Sequence, residues 1–485
     1  NIYINIDTFF CVINIFLRGN MKLSNILKDI NILNNISNFS EIEIKTLSVN
    51  AQNKMENGLF FCYKGAHDGY EYIEQAIDNG ACVFVVDKLV DKDINQVLVD
   101  DVRSCIGLAA QNFYDTKNIK VVGITGTNGK TTTSFIIKSI LEQANKKVGV
   151  IGTNGIYFCD KFIPAKLTTP DPIDLHEIFS IMKKGKVDFV VMEVSAHAIF
   201  LEKICGVNFV CKILTNVTQD HLDFFKNMQQ YRETKLSFFN SDDLMVINAD
   251  DECGQFLLKK YETALSYGLN NPSDAFCIEI NKDCSSYIMN ISDNVIKLKT
   301  NLFGLFNVYN ALASALCCYY LGISVDCIKK GIEQTKSIEG RFNVFSCNNK
   351  KIIVDFAHTP DGLENVLKTA KKLTDGKLIC VFGCGGDRDK SKRPIMGAIA
   401  EKYADYCFIT SDNPRYENAS TIISDILKGF NHSNYCALED RKTAIKIAIK
   451  SLNDNDTLII CGKGGENYID IKGEKIPYSD FDTVT

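Results

Sequence analysis

The passage from 119 to 143 constrains this chain most. IKVVGIT at 119–125 is a short, β-branched apolar run with the length of a buried strand. It leads into Gly126-Thr127-Asn128-Gly129-Lys130-Thr131-Thr132, and a helical stretch follows over 132–143. Glycines let backbone N–H groups approach phosphate oxygens, and a helix N-terminus adds a favourable dipole. Lys130 can reach outer phosphates, and the Thr131 hydroxyl can ligate Mg2+. The spacing departs from the strict phosphate-loop pattern, because Ile124 stands where that pattern has Gly. A plain Gly-rich turn is the bland alternative. Lys-Thr-Thr between a strand and a helix favours nucleotide binding.

A chain of 485 residues exceeds what one hydrophobic core organises. The fold class is α/β with three domains. Residues 21–110 hold a small N-terminal α/β domain with strand-like runs GLFFCYKG and ACVFVVD. Residues 111–337 form a central phosphate-loop ATPase-type domain with a mostly parallel sheet, from DFVVMEVS, KILTNVT and LMVIN. Residues 338–485 form a Rossmann-like domain. Its strands KKIIVDFA, KLICVFG, YCFITS and DTLIICG alternate with helical stretches at 362–373 and 442–451. The stretch 268–300 reads as polar and irregular. Residues 1–20 precede a natural-looking start at Met21 and are expected to be an extension outside the fold. The apolar run 9–17 is interrupted by Asn14 and is far shorter than the roughly 20 residues of a membrane span.

A net charge of −5 without a basic block gives no nucleic-acid footprint. The 19 cysteines lack repeated metal-ligand spacing, so reduced thiols and a cytoplasmic location without membrane insertion are expected. Ligands of open α/β sheets gather at strand ends. Glu193, Ser195 and His197 end one predicted strand; Asp220, His221 and Asp223 follow another. A carboxylate and imidazoles beside a phosphate site suit Mg2+. Each fragment alone is more often a surface or satisfied core group.

In order, the chain carries GTNGKTT, LTTPDP, EVSAHA, TNVTQDHLD, GLFNVYN, EGRF, VDFAHTPD, FGCGGDRDKSKRP, SDNPRYE and GKGGE. In these motifs the sequence resembles the Mur ligases from residue 21 to its end. The resemblance implies an N-terminal domain for the UDP part of an acceptor, a central ATPase domain and a C-terminal domain for the incoming amino acid. It implies ATP and Mg2+, and a monomer that uses UDP-MurNAc-L-Ala-D-Glu and meso-diaminopimelate. ATP would phosphorylate the acceptor carboxylate, and the amine would attack the acyl phosphate. Lys130, Glu193, His221 and Lys235 are then the catalytic candidates, Lys235 aligning with a lysine carbamylated in the family. Thr131, Glu193 and carbamylated Lys235 would hold the metal. Asn307, Arg341 and Asp355 align with ATP-contacting positions, and Thr168, Thr169, Ser195 and Lys203 with acceptor-side ones.

The resemblance also speaks to the amine. Asp412-Asn413-Pro414-Arg415 matches the form of diaminopimelate-adding members, whereas lysine-adding ones lack the arginine. A second carboxylate suits the bidentate fork of Arg415. Arg388, Gly462 and Glu466 match the other positions for this substrate, and Glu466 could pair with the distal ammonium. A surface salt bridge is the bland reading of Arg415.

Departures gather on the acceptor side. Asn50-Ala51-Gln52 stands where the family has Asp-Ser-Arg, and Leu201 and Lys203 replace Gln and Arg. Ala196, Phe225, Asn343 and Gly465 replace Ser, His, Glu and His. Two expectations follow: a divergent cell-wall ligase, or a paralogue joining an amino acid to a different carboxylate.

Overall fold

A computed structural model describes residues 2–3, 20–65 and 67–485. It resolves into two compact units, Asn1–Ile124 with Asn145–Lys212, and Thr125–Ala144 with Ile213–Thr485. Apart from Ile2, Tyr3 and Asn20, the expected extension at 1–20 lies outside the described residues. Ile2 and Tyr3 pair in parallel with Lys161 and Phe162.

The first unit contains four parallel strands in sequence order, Thr46–Ser48, Gly58–Phe61, Ala81–Val86 and Asn95–Leu98. Side chains alternate between the faces of a strand. Val83 and Val85 therefore join one core with Leu23, Ile26 and Val102, while Phe84 and Val86 join another with Phe60, Ile73 and Ala76. The helix Val102–Tyr114 starts where the Asp101 carboxylate accepts from the N–H groups of Arg103 and Ser104. Such caps satisfy donors that the first helical turn leaves open. Further along, Phe189–Glu193 runs parallel to Val148–Gly152 on one side and to Val121–Thr125 on the other. Val190, Val191 and Met192 are fully buried, as a strand covered on both faces requires.

Among the described residues the second unit contains the helix Lys130–Gln143, part of one large sheet, a six-stranded sheet and the antiparallel pair Tyr468–Ile471 and Glu474–Pro477. Met245–Asn248 and Leu265–Tyr267 pair in parallel. The region expected to be irregular instead forms an antiparallel meander, Ala275–Ile280, Ser286–Ile291 and Asn294–Lys299. Tyr287, Met289 and Ile291 point inward, and Ser286, Ile288 and Asn290 do not. Small polar residues on the outward face hid this period of two. In the C-terminal part the strand order is Asn343–Cys347, Lys350–Asp355, Thr457–Cys461, Leu378–Phe382, Tyr406–Ile409 and Tyr435–Ala437. All neighbours after the first pair are parallel. Leu378, Cys380 and Phe382 face one core and Ile379 and Val381 the other, so the sheet is covered on both faces.

The helix boundaries follow local chemistry. The stretch read as 362–373 begins earlier, as Pro360–Leu373, because Pro360 suits the first helical position and the Thr359 hydroxyl accepts from Gly362 N–H. The stretch read as 442–451 is Arg441–Lys450, capped by Asp440. Among the described residues no helix is long and apolar enough to cross a membrane.

Candidate functional site

The phosphate-loop candidate sits in the second unit, at the start of Lys130–Gln143. Gly126 and Gly129 hold φ of +147° and +88°. A Cβ at Gly126 would stand 1.8 Å from the Thr215 hydroxyl, so neither conformation nor space admits a side chain there. Thr215 and Asn216 brace the loop: Thr215 Oγ1 donates to Asn128 O at 2.7 Å, and Asn216 Oδ1 accepts from Asn128 N–H at 2.9 Å. The Thr127 hydroxyl lies 3.1 Å from that of Tyr231. Asn128 Nδ2 donates to Asp361 at 2.8 Å, which ties the loop to Pro360–Leu373.

Two ammonium groups converge on one carbonyl. Lys130 Nζ and Lys235 Nζ each donate to Gly126 O at 2.8 Å. Lys130 also donates to Thr127 O at 2.9 Å. Burial, and then the neighbouring Lys130 charge, hold the Lys235 amine well below the ordinary lysine range.

Arg341, Asp355 and Asn307 surround the same helix start. Arg341 donates to the Thr131 hydroxyl at 3.1 Å and lies 4.4 Å over the Phe356 ring. Asp355, at the end of its strand, accepts from the N–H groups of Phe342 and Ala357 at 2.7 and 2.6 Å. Burial pushes its carboxyl up, and Arg341 opposes that. Asn310 links Asn307 at 3.0 Å to the hydroxyl of Thr133 at 3.3 Å. Thr132 is buried beside them.

Asp220, read in the sequence as a candidate beside His221 and Asp223, is a buried carboxylate. His221 Nε2 lies 3.3 Å from it, Lys392 Nζ 3.5 Å and His358 Nε2 3.8 Å. Burial alone would raise its pKa; His358, His221 and Lys392 outweigh burial and hold it well below the carboxylate range. His221 has φ +56°, a left-handed conformation. Asp220 stood in the quoted motif TNVTQDHLD. An acidic residue next to a candidate histidine was the available signal.

The candidate amino-acid residues gather at strand ends of the C-terminal sheet. Arg415, with φ +50°, donates to Gly386 O at 2.7 Å and lies 3.9 Å from Asp470. Pro414 is tightly packed, since a Cβ at Gly386 would stand 1.9 Å from its carbonyl oxygen. Asn413 Nδ2 donates to Glu466 at 2.9 Å. Gly462, with φ +115°, leaves room for Asp412, because a Cβ there would stand 2.7 Å from its carboxylate. Arg388 Nη1 lies 3.4 Å from Asp223. Beneath them Arg393, wholly buried, forks on Glu417 at 2.8 and 3.0 Å and also reaches Asp425 at 3.0 Å.

The acceptor-side candidates lie in the first unit. Glu193 ends its strand, and its carboxylate accepts from Thr153 N–H and Oγ1, both at 3.1 Å. Thr169 Oγ1 donates to Glu193 O at 2.9 Å and accepts from Ser195 N–H at 3.0 Å. Thr168 Oγ1 is 3.1 Å from that of Thr153. Lys203 pairs with Asp171 at 2.6 Å. In the Asn50-Ala51-Gln52 turn, Asn50 Oδ1 accepts from Gln52 N–H at 3.0 Å, so its side chain caps its own turn.

Comparison with known proteins adds to this geometry. Residues 124–318 match the Mur ligase middle domain, and residues 340–464 match the Mur ligase, glutamate ligase domain. The UDP-N-acetylmuramoyl-L-alanyl-D-glutamate–2,6-diaminopimelate ligase of Clostridium tetani is 41% identical over 96% of this chain and 98% of its own length. Ligase 1 of the same name from Clostridium acetobutylicum is 40% identical over 95% of this chain and 97% of its own. A solved UDP-N-acetylmuramoyl-L-alanyl-D-glutamate–2,6-diaminopimelate ligase superposes with a TM-score of 0.70 at 26% identity, covering 96% of this chain and 98% of that one. With a glycine loop braced by Thr215 and Asn216, a doubly wound C-terminal sheet and relatives matched along nearly their whole length, the chain belongs to the Mur ligase family.

Proposed function

We propose that this chain is an ATP-dependent ligase that adds meso-diaminopimelate to UDP-MurNAc-L-Ala-D-Glu in peptidoglycan synthesis. The observation that carries the reading is the cluster of Arg415, Asn413 and Glu466 at the C-terminal strand ends. A guanidinium for the distal carboxylate and a carboxylate for the distal ammonium match the two charged groups at the far end of that amino acid. The name of the Clostridium tetani relative supports the same assignment.

The chemistry needs activation, because a carboxylate does not react with an amine at neutral pH. The γ-phosphoryl group passes from ATP to a carboxylate oxygen of the acceptor, and ADP leaves. The amine nitrogen then attacks the acyl carbon, a C–N bond forms, the C–O bond to phosphate breaks, and the nitrogen loses a proton. In this reading Lys130 steadies the transferring phosphoryl group, and loop N–H groups of residues 126–132 cradle the other phosphates. Arg341, Asn307 and Asp355 position the nucleotide. Thr168, Thr169, Ser195 and Lys203 hold the acceptor, and Arg388, Asp412, Pro414 and Gly462 complete the amino-acid site. His221, oriented by Asp220, orders the polar groups near the phosphates.

Mg2+ fits the donor set. Magnesium takes one or two carboxylates together with substrate phosphates rather than a protein cage. Thr131 and Lys235 as its carbamate are the proposed ligands within the second unit, and the ion would neutralise charge on the phosphates. We also propose a cytoplasmic monomer with domain boundaries at 21–110, 111–337 and 338–485.

The test supplies purified protein with ATP, Mg2+, UDP-MurNAc-L-Ala-D-Glu and meso-diaminopimelate, and follows phosphate release and the peptide product. No product here, with product from another carboxylate acceptor, would favour the second reading, a ligase with a changed acceptor. Ala51, which lacks a hydroxyl, and Lys203, tied to Asp171, are the observations behind that alternative.

A further inference from the structure

Lys463 lies between two glycines in the GKGGE motif, and the roles assigned above do not include it. Its side chain is 0% exposed. A lysine ammonium has three donors and no acceptor. Here all its polar neighbours belong to the candidate amino-acid site. Nζ donates to Asn413 Oδ1 at 2.9 Å and to Glu466 Oε2 at 3.2 Å. It lies 3.3 Å from Asp412 Oδ1 as an ion pair. Asn413 in turn donates to the same Glu466 oxygen at 2.9 Å, which closes a ring of three side chains. Asn413 Oδ1 also accepts from Asp470 N–H at 2.9 Å, on the strand Tyr468–Ile471, whose Ile471 bridges to Arg415.

An amide such as Asn413 can face either way. A cation on its oxygen forces that oxygen toward Lys463 and turns the NH2 group toward Glu466. The same cation and the Asn413 amide both hold one Glu466 oxygen, Oε2, which leaves the other for a substrate ammonium. An ammonium buried this completely is stable only with its carboxylates in place, so the arrangement is held rigidly.

Resting on the ligase reading above, we propose that Lys463 is a positioning residue for the amino-acid substrate: it orients Asn413 and Glu466, and through them selects an amino acid with a second charged end. It acts through these neighbours, not on the reacting atoms.

The test compares wild type, Lys463→Met, Glu466→Gln and the double variant, with KM measured separately for meso-diaminopimelate, ATP and the acceptor. Lys463→Met should raise KM for diaminopimelate by about 30-fold, the scale of a broken buried charge pair. KM for ATP and acceptor should stay within about 3-fold. The double variant should be little worse than Glu466→Gln alone, because both remove one interaction. Should Lys463→Met fail to fold, Lys463→Gln, which keeps donors without the charge, is measured instead. An unchanged diaminopimelate KM, an equal rise in all three KM values, or strict additivity overturns the proposal. Wild type that makes no diaminopimelate product overturns the ligase reading itself, a separate result.

Discussion

Lys235 Nζ donates to the Gly126 carbonyl across 2.8 Å, from a side chain that is 1% exposed. A buried lysine beside a second ammonium loses its proton readily, and a neutral amine is the form that adds CO2. Activity should therefore fall in CO2-depleted buffer and return with bicarbonate. Lys235→Arg, always charged and unable to form the carbamate, should lose about 100-fold in kcat while still binding ADP by calorimetry. Full activity in that variant would exclude the carbamate role.

Lys130 shares that carbonyl and carries the second charge. Lys130→Ala should abolish measurable turnover, a loss of about 1000-fold or more, because transition-state charge on the phosphoryl group goes unsupported. Retained phosphate release would remove the loop from the mechanism.

Arg415 is held in a left-handed turn with its guanidinium on Gly386 O. Arg415→Lys keeps the charge but not the fork. Its KM for diaminopimelate should rise by about 10- to 100-fold, with that for ATP unchanged. An unaltered preference for diaminopimelate over lysine would refute the specificity assignment.

Much of this was legible in linear form. Strand, glycine loop and helix showed at 119–143 because hydrophobic length and glycine spacing are local properties. The alternating strands of the C-terminal sheet showed for the same reason. The meander over Ala275–Lys299 did not, because Ser286, Asn290 and Lys297 place polar side chains outward and break the apolar runs. The surroundings of Asp220 and the role of Lys463 were also hidden. Their significance lies in partners 172 and 50 residues away, Lys392 and Asn413, which no spacing rule connects. The interleaving of Thr125–Ala144 with Ile213–Thr485 is likewise a property of packing.

Glu177 gives a pH-dependent prediction in the first unit. It lies on the helix Pro172–Lys184, and burial pushes its carboxyl up to about 7, with Asp174 adding to the effect. Its Oε1 is buried without a hydrogen-bond partner among the described residues. A folded pKa above the unfolded value means that folding favours the protonated acid. That contribution is complete below the unfolded value of about 4.5 and is lost as pH rises through about 7. Glu177→Gln should thus raise Tm at pH 8 and leave it nearly unchanged at pH 5. Equal effects at both values would show that the carboxyl is not buried as described.

The Arg393–Glu417 pair has the opposite sign. Arg393, followed by burial acting against it and by Asp387 N–H, brings the Glu417 carboxyl down to about 2. A depressed folded pKa favours the ionised form, so this stability is present above about 4.5 and is lost as pH falls toward about 2. Arg393 also reaches Asp425, so removing it leaves Glu417 and Asp425 with only their exposed lysine partners, Lys390 and Lys428. Arg393→Met should cost about 3–5 kcal/mol in urea unfolding at pH 7. Glu417→Gln should cost less, and its deficit should narrow as pH drops below 4.5. Because Glu417 also accepts from Asp387 N–H at 2.7 Å, it anchors the turn that carries Arg388. Glu417→Gln should therefore raise KM for diaminopimelate even at pH 7, where the variant is still folded. A purely structural pair would lower stability and leave that KM alone.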